Sequence, residues 1–384
     1  MTQARKKAAT TSNTATEEVT TANPRSATPN ELRARALMEQ DECRRAITSG
    51  GEIAGWKESR DRIKALGDRM RAEFVDRNEA VDGVLAALIS RAGCVLLGPP
   101  GTAKSLLVTR IARECNLRIG TDDANYFEYL LTAHTMPEEI FGPTEIGLLL
   151  QDPPQVQRRT IARLPHAELA FLDEVFRGGS HILNTLLTIL NERRFHNGQS
   201  MEEVPLVSFI GAANFPPQTE EMKAFFDRFP IRIWVDSVLQ NESTRSTHAR
   251  RLISADAGSD ATVNRTSSAP SMHDFRKLWS ILRRKLRSNP NQPAHSVNAR
   301  LEEFTRTFMS VRVQGELSDR SFVQLWYFAG ALDMIAGRDP DKAWGEGGRG
   351  HIECFRYIAP RQHLVDQIRH NLKQRIAHLS SSGG

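Results

Sequence analysis

The chain has 384 residues, of which 40% are hydrophobic and 25% are charged, and its formal net charge is +5. This composition is ordinary for a soluble protein and long enough for two or three packed domains. The modest positive charge permits an anionic ligand without requiring one. No apolar run reaches the roughly 18 residues that a membrane-spanning helix needs, so we expect no membrane partner.

Residues 1–29 are rich in Thr, Ala, Ser and Asn and lack apolar periodicity, so we expect a disordered tail. Their positive charges are not followed by an apolar stretch, which argues against a secretory signal. The four cysteines are far apart in the sequence and form no metal-binding or disulfide pattern: Cys43, Cys94, Cys115 and Cys354. Together these features favour a cytoplasmic location.

Residues 30–73 place apolar side chains three and four residues apart among charges, which predicts an N-terminal helical region. From residue 74 to residue 236, short apolar runs alternate with helical segments, notably a helix predicted over 181–195. The runs predicted as strands are 94–97, 126–131, 169–173, 205–214 and 231–235. This alternation predicts an α/β core with a parallel sheet covered by helices on both faces.

After residue 236 the strand pattern ends. Helical periodicity then predicts an all-helical second domain over 237–380, with helices at 275–286, 300–311, 319–336 and 363–379. Residues 254–271 are polar and rich in Ser and Ala, so we expect a mobile insertion there. Residues 381–384 are expected to be a short tail.

A glycine-rich loop, GPPGTAKS, lies between a predicted strand and a predicted helix. Backbone N–H groups of such a loop hold phosphates, and the helix N-terminus adds partial positive charge. Lys104 would reach the β- and γ-phosphates of a nucleotide, and Ser105 would bind Mg²⁺. The residues expected to bind the nucleotide are Gly98, Pro99, Pro100, Gly101, Thr102, Ala103, Lys104, Ser105 and Leu106.

Ala103 stands where this pattern usually has glycine. We expect its φ to be negative, because the residue comes directly before the predicted helix. In that conformation its methyl group would point away from the phosphates and cost little, whereas a left-handed conformation would penalise alanine by about 1 kcal/mol. We therefore expect the loop to bind phosphate.

Polar side chains follow two of the predicted strands. Asp173 and Glu174 close a buried strand, where Asp173 could hold Mg²⁺ through water and Glu174 could deprotonate the attacking water. Asn214 ends a strand predicted to lie beside the strand of the glycine-rich loop, where its amide could position that water. The structural alternatives are two acids that cap the next helix, and an Asn that forms a turn before Phe-Pro-Pro.

Two arginines complete the candidate set. Arg228 comes just before the last predicted strand, where it could reach the γ-phosphate of a neighbouring subunit as an arginine finger. Its alternative is an ion pair with Asp227 or a solvated surface position. Arg320, near the start of a helix in the second domain, could touch the γ-phosphate, although spacing alone would make it a surface arginine.

In this order, the motifs resemble the MoxR family of AAA+ ATPases, and the alanine-containing loop is most similar to its RavA-like branch. The segments that carry the resemblance are GPPGTAKS, FLDEVFRGGSHILNTLLTILNERRFHNG, GAANFPP, DRF and SDRSF, together with the insertion TMPEEIFGP. The resemblance extends from about residue 74 to the C-terminus.

This resemblance implies a five-stranded AAA+ core followed by a helical lid, and hexameric rings with ATP between subunits. It implies that Lys104 and Ser105 are Walker A residues and that Asp173 and Glu174 are Walker B residues. By the same resemblance Asn214 is sensor 1, Arg228 the arginine finger and Arg320 sensor 2. It also implies a chaperone-like ATPase that remodels or matures other proteins, usually with a von Willebrand factor A domain partner.

Two other functions remain open. One is a nucleotide-gated scaffold that assembles without productive turnover, against which the acidic pair Asp173 and Glu174 argues. The other is a nucleic-acid motor, suggested by the sequence pI near 9.1 and the basic run at 283–287. That run suits a solvated helix face equally well, and no nucleic-acid-binding motif accompanies it.

Overall fold

The computed structural model describes residues 27–49, 53–217, 219–237, 269–286, 295–315, 317–338 and 350–359, with Arg245, Ser246, Ala249 and His370. The predictions of a tail over 1–26, of most of the insertion at 254–271, and of the helix at 363–379 concern residues outside this described part.

The central sheet has five parallel strands in the order β2-β3-β6-β1-β7. They are β1 Cys94–Leu97, β2 Tyr126–Leu130, β3 Leu169–Asp173, β6 Ser208–Ala213 and β7 Ile231–Trp234; a separate hairpin contains β4 Arg194–Asn197 and β5 Ser200–Glu203. The prediction of a five-stranded parallel α/β core is confirmed. Since parallel strands share one carboxyl edge, this order brings the ends of β1, β3 and β6 together.

Helices cover the sheet and form the C-terminal part of the described chain. They are α1 Pro29–Ser49, α2 Trp56–Glu73, α3 Asn78–Ser90, α4 Lys104–Glu114, α5 Pro137–Phe141, α6 Ile146–Leu149, α7 Ser180–Glu192, α8 Glu220–Phe226, α9 Met272–Leu286, α10 His295–Gly315, α11 Asp319–Ile335 and α12 Gly350–Glu353. Across the described ranges, no helix is both long and apolar enough to cross a membrane.

Each face of the sheet carries its own hydrophobic core. In β1, Cys94 and Leu96 pack into one cluster, while Val95 and Leu97 pack into the other. All four side chains are buried, which explains why this strand is an unbroken apolar run rather than an alternating one. The first cluster also contains residues of α2, α3, α9 and α11, so the sheet and most of the helical layer share one core.

The N-terminal helices pack against the C-terminal ones. Helix α1 lies along α9, α2 contacts both α9 and α3, and α11 lies along α3. The N-terminal helical region is therefore part of the helical layer on one face of the sheet.

The hairpin after α7 corrects one prediction. A helix was expected to extend to residue 195, but α7 ends at Glu192 and Arg193 has a left-handed φ of 56°. Strands β4 and β5 follow, joined by Gly198 and Gln199, since Asn197 pairs with Ser200; Gly198 has a φ of 65°. A two-residue loop with glycine at its first position suits a hairpin turn that needs positive φ only there.

Arg276 of α9 is a buried cation that connects three parts of the chain. Its side chain is 1% exposed and forms ion pairs with Glu39 of α1 at 3.1 Å and with Glu168, next to β3, at 2.7 Å. It also donates a hydrogen bond to the carbonyl of Pro205. Removing it would leave two largely buried carboxylates without this partner.

We predict that Arg276→Met lowers the free energy of unfolding by about 3 kcal/mol or more, because breaking a buried pair leaves uncompensated charge. Chemical denaturation measures the change. Arg35→Met is a matched control, since Arg35 also pairs with Glu39 at 3.1 Å but its side chain is 71% exposed; its cost should stay below about 1 kcal/mol. Equal costs for the two variants would contradict the prediction.

Candidate nucleotide-binding site

The glycine-rich loop begins where β1 ends, between β6 and β7. The N–H of Gly98 donates to the carbonyl of Ala213, and Val235 N–H donates to the carbonyl of Leu97. A Cβ atom on Gly98 would lie 2.2 Å from the Val235 carbonyl oxygen, so only glycine fits this position. Gly101 has a φ of 77°, which also favours glycine.

The conformation of Ala103 differs from the prediction. Its φ is 64° and its ψ is 27°, so the residue is left-handed and caps the N-terminus of α4. The expected negative φ is wrong, because the chain turns into the helix through Ala103 itself. An L-residue in this conformation carries a strain of roughly 1 kcal/mol.

Lys104 is buried at the start of α4, with only 7% of the residue exposed. Its ammonium group donates to the carbonyls of Gly98 at 2.7 Å and Pro99 at 2.9 Å, and to Asn214 Oδ1 at 3.3 Å. Burial lowers the pKa of Lys104, and the nearby carboxylates of Asp173 and Glu174 oppose that shift. The ammonium thus lies within the loop that would hold phosphates.

Ser105 and Asp173 meet at the carboxyl edge of the sheet. The Ser105 hydroxyl donates to Asp173 Oδ2 at 2.9 Å. Two neighbouring oxygen ligands suit Mg²⁺, which is typically held by one or two protein oxygens together with phosphate and water. Within the described ranges, no group of three or more His, Cys, Asp or Glu side chains forms a metal site. Ser105 and Asp173 are therefore the residues that could hold Mg²⁺.

Glu174 and Asn214 form a second polar pair beside the first. Asn214 Nδ2 donates to Glu174 Oε1 at 2.5 Å, which joins the ends of β3 and β6. Arg177 Nε lies 3.3 Å from the other carboxylate oxygen of Glu174. Glu174 has a φ of 51°, a strained conformation for a residue that is not glycine and one often found at functional sites. The carboxylate is thus held in place between two donors.

Arg77, which the sequence analysis did not predict as a site residue, contacts the glycine-rich loop. Its Nε donates to the carbonyl of Thr102 at 3.4 Å, and burial lowers its pKa. Nothing in its sequence neighbourhood marks it, because the contact joins positions 25 residues apart. Arg177, which was also missed, follows Glu174 by one turn of a 3₁₀ helix. Leu106 is 62% exposed, next to the loop.

Arg228 lies at the opposite edge of the sheet. Arg228 precedes β7, and the first residue of β7 pairs with Cys94, the first residue of β1. The Arg228 backbone also passes close to Gly93, since a Cβ atom on Gly93 would lie 2.5 Å from the Arg228 carbonyl oxygen. Its guanidinium pairs with Asp227 at 3.1 Å and is 30% exposed.

Arg320 lines a cavity together with Arg91 and Arg193, which follow the last residues of α3 and α7, and it is near enough to Arg228 for their charges to interact. Its pKa is lowered by burial first and then by the positive charge of Arg228. The structure therefore brings Lys104, Ser105, Asp173, Glu174 and Asn214 together, and places the two arginines elsewhere.

Known families account for this arrangement. The model of the MoxR domain found in MoxR–vWA–β-propeller ternary systems matches residues 61–268, more than half of the chain. This chain belongs to the MoxR family. The matched range covers the loop, the acidic pair, Asn214 and Arg228, so these positions are part of a MoxR-like AAA+ ATPase domain.

This chain also matches individual relatives over part of their length. Two uncharacterized proteins of Methanocaldococcus jannaschii are 43% and 42% identical over 171 and 181 residues, covering 44% and 47% of this chain. A structural protein of Acidianus two-tailed virus is 30% identical over 159 residues. The matched segments span 43%, 46% and 25% of these three proteins, less than half of each.

A solved structure supports the fold. The crystal structure of a candidate ATPase from Cytophaga hutchinsonii aligns with a TM-score of 0.56, covering 84% of this chain and 96% of that chain. Sequence identity is 17%, so this likeness concerns the fold alone.

We predict that Ala103→Gly raises the free energy of unfolding by about 1 kcal/mol, because glycine adopts the left-handed conformation without strain. Chemical denaturation measures the change. Ala34→Gly, at an exposed position within α1, is the control and should cost about 1 kcal/mol. A loss of stability in Ala103→Gly equal to that in Ala34→Gly would refute a strained Ala103.

Proposed function

We propose that this MoxR domain hydrolyses ATP with Mg²⁺ at the interfaces between subunits of a hexameric ring, and that the ring uses this energy to remodel or mature other proteins in the cytoplasm. The observation that carries the proposal is the meeting of Lys104, the Ser105–Asp173 pair and the Glu174–Asn214 pair at one edge of the sheet.

Binding of the triphosphate is the role of the loop and of Lys104. Backbone N–H groups between Gly98 and Ser105 would hold phosphate oxygens, and the Lys104 ammonium would exchange its contacts with loop carbonyls for the β- and γ-phosphates. Ser105 and Asp173 would hold Mg²⁺. When bound, Mg²⁺ neutralises charge that develops on the phosphates.

Activation of water is the role of Glu174. Its carboxylate lies beside the loop at the end of β3, where it could accept a proton from the attacking water. Asn214 donates to one carboxylate oxygen and Arg177 approaches the other, so the base is oriented before substrate arrives. Asn214 also contacts Lys104, and it therefore connects the base to the phosphate-binding cation.

Completion of the site by a neighbour is the role proposed for Arg228. Strand β1 separates Gly98 from the edge where Arg228 lies, a span of about 13 Å for four residues. An arginine at that edge is poorly placed for its own triphosphate but could stabilise transition-state charge in the next subunit. Such head-to-tail contacts close into rings. Arg320 would act as sensor 2, an arginine that touches the γ-phosphate and reports its presence.

The proposed partner is a protein with a von Willebrand factor A domain. The support is the family description, which places these MoxR domains in MoxR–vWA–β-propeller ternary systems. We also propose that the chain is closest to the RavA-like branch of the family, and the support for this is the alanine at position 103 of the phosphate loop.

Two alternatives have their own tests. A nucleic-acid motor should show salt-sensitive DNA affinity below micromolar in a fluorescence titration. The basic run that suggests it begins at Arg283, which lines a cavity with Trp279 and Tyr327. A nucleotide-gated scaffold should assemble with a non-hydrolysable ATP analogue and show no turnover with ATP.

We predict that Glu174→Gln retains ATP binding and loses at least about 100-fold in turnover, because the amide cannot accept the proton. Calorimetry measures binding, and phosphate release measures turnover. Glu192→Gln, at the exposed end of α7, is the matched control and should leave both unchanged. Ordinary phosphate release by Glu174→Gln would remove Glu174 as the base.

A further inference from the structure

A second cavity lies at the amino-terminal edge of the sheet, away from the phosphate loop. Its volume is about 700 Å³, within the range of sites for nucleotide-sized ligands. Helices α1, α9 and α11 line it, together with the residues that end α3 and α7. Among the described residues that line it none is acidic, and six are arginines: Arg44, Arg91, Arg193, Arg276, Arg283 and Arg320.

Most of this positive charge is not balanced by carboxylates. Arg44 pairs with Asp41 and Glu203, and Arg276 pairs with Glu39 and Glu168. These two arginines are therefore explained by the fold.

The remaining arginines have weaker partners among the described residues. Arg91 donates to Gln40 Oε1 and to the carbonyl of Leu206, and Arg193 donates to the carbonyl of Arg91. Arg283 lies 5.9 Å from the ring centroid of Trp279. These contacts orient the guanidinium groups but supply no negative charge.

Buried donors in the cavity wall also lack partners. Gln40 and Arg276 are each 1% exposed, yet Gln40 Nε2 and Arg276 Nε have no hydrogen-bond acceptor within the described chain, and neither does Arg193 Nη1. Buried donors of this kind are rare, because each costs the free energy of its lost hydration. Three such atoms belong to residues that line this one cavity.

The arginines also disfavour one another's charge. Burial, and then the charges of Arg193, Arg276 and Arg44, hold the pKa of Arg91 well below its usual range. Burial lowers the pKa of Arg193 to about 10. Arg193 is therefore still charged at neutral pH, and a bound anion would offset the repulsion between the guanidinium groups.

Helix ends explain part of the cluster. Arg91 and Arg193 follow the last residues of α3 and α7, where a cation interacts favourably with the helix dipole. That effect does not extend to Arg283 in α9 or Arg320 at the start of α11, and it does not account for the absence of acidic side chains in the described lining.

We propose that Arg91, Arg193 and Arg283 in this cavity form a second anion-binding site, distinct from the ATP site to which Arg320 is assigned, that takes a small molecule bearing two or more linked phosphates. Guanidinium groups bind phosphate oxygens in pairs, and several linked phosphates supply the charge that one carboxylate could not. Trp279 and Tyr327 line the same cavity in edge-to-face contact with each other, so aromatic surface lies beside the arginines. The phosphates then come either from free polyphosphate or from a nucleotide.

The test is calorimetric titration of the Lys104→Ala variant, whose ATP site is disabled, with inorganic tripolyphosphate and separately with ATP. We expect saturable binding of tripolyphosphate at one site per chain. Tighter binding of ATP would assign the source to a nucleotide, and equal or weaker binding would assign it to free polyphosphate. Adding Arg283→Gln or Arg193→Gln should weaken either ligand about tenfold or more, through loss of a charge-assisted contact.

Arg45→Gln is the matched control, because Arg45 is exposed on α1 next to Arg44 and does not line the cavity; it should leave affinity unchanged. Arg283 is only partly buried, so its variant tests the site even if Arg193→Gln fails to fold. Absence of saturable binding, or equal weakening by all three variants, would overturn the proposal. A second outcome would also overturn the proposal: tripolyphosphate does not bind, and Arg283→Gln abolishes self-association of the protein. In that case acidic side chains of a second copy of the chain occupy the cavity.

Discussion

The position of β1 between β6 and β7 is the constraint on which the rest of the molecule depends. Its carboxyl end opens into the phosphate loop, where Gly98 must be glycine because the Val235 backbone passes so close. Its amino end begins at Gly93, which lies against the backbone of Arg228. One buried strand of four residues therefore fixes the loop at one edge of the sheet and the arginine at the other.

Polar side chains at the carboxyl edge restrain one another. Lys104 contacts Asn214, Asn214 donates to Glu174, and Ser105 donates to Asp173 on the same strand end. Each group that would bind phosphate, hold Mg²⁺ or activate water is oriented by another member of the set. Such preorganisation limits the reorganisation that catalysis requires. The left-handed conformations of Ala103 and Glu174 are consistent with local strain that this network holds in place.

The sequence predicted the parts that follow from local pattern. All five strands of the sheet were expected, because runs buried on both faces are unbroken apolar segments, and the acids were placed correctly at the end of β3. The φ of Ala103 was not predictable, since it depends on how the loop enters α4. The position of Arg320 near Arg228, and the arginine-lined cavity, depend on how α1, α9 and α11 pack, which periodicity alone does not specify.

The central claim is that two subunits share each active site, and mixing two inactive variants tests it most directly. Lys104→Ala should not bind ATP at the phosphate loop but still offers Arg228, whereas Arg228→Ala binds ATP there but offers no arginine. Each alone should be inactive, and an equimolar mixture should recover about a quarter of wild-type ATPase activity, because random neighbours combine the intact halves in about that fraction of interfaces. A mixture that forms mixed oligomers by light scattering yet stays inactive would contradict the shared site.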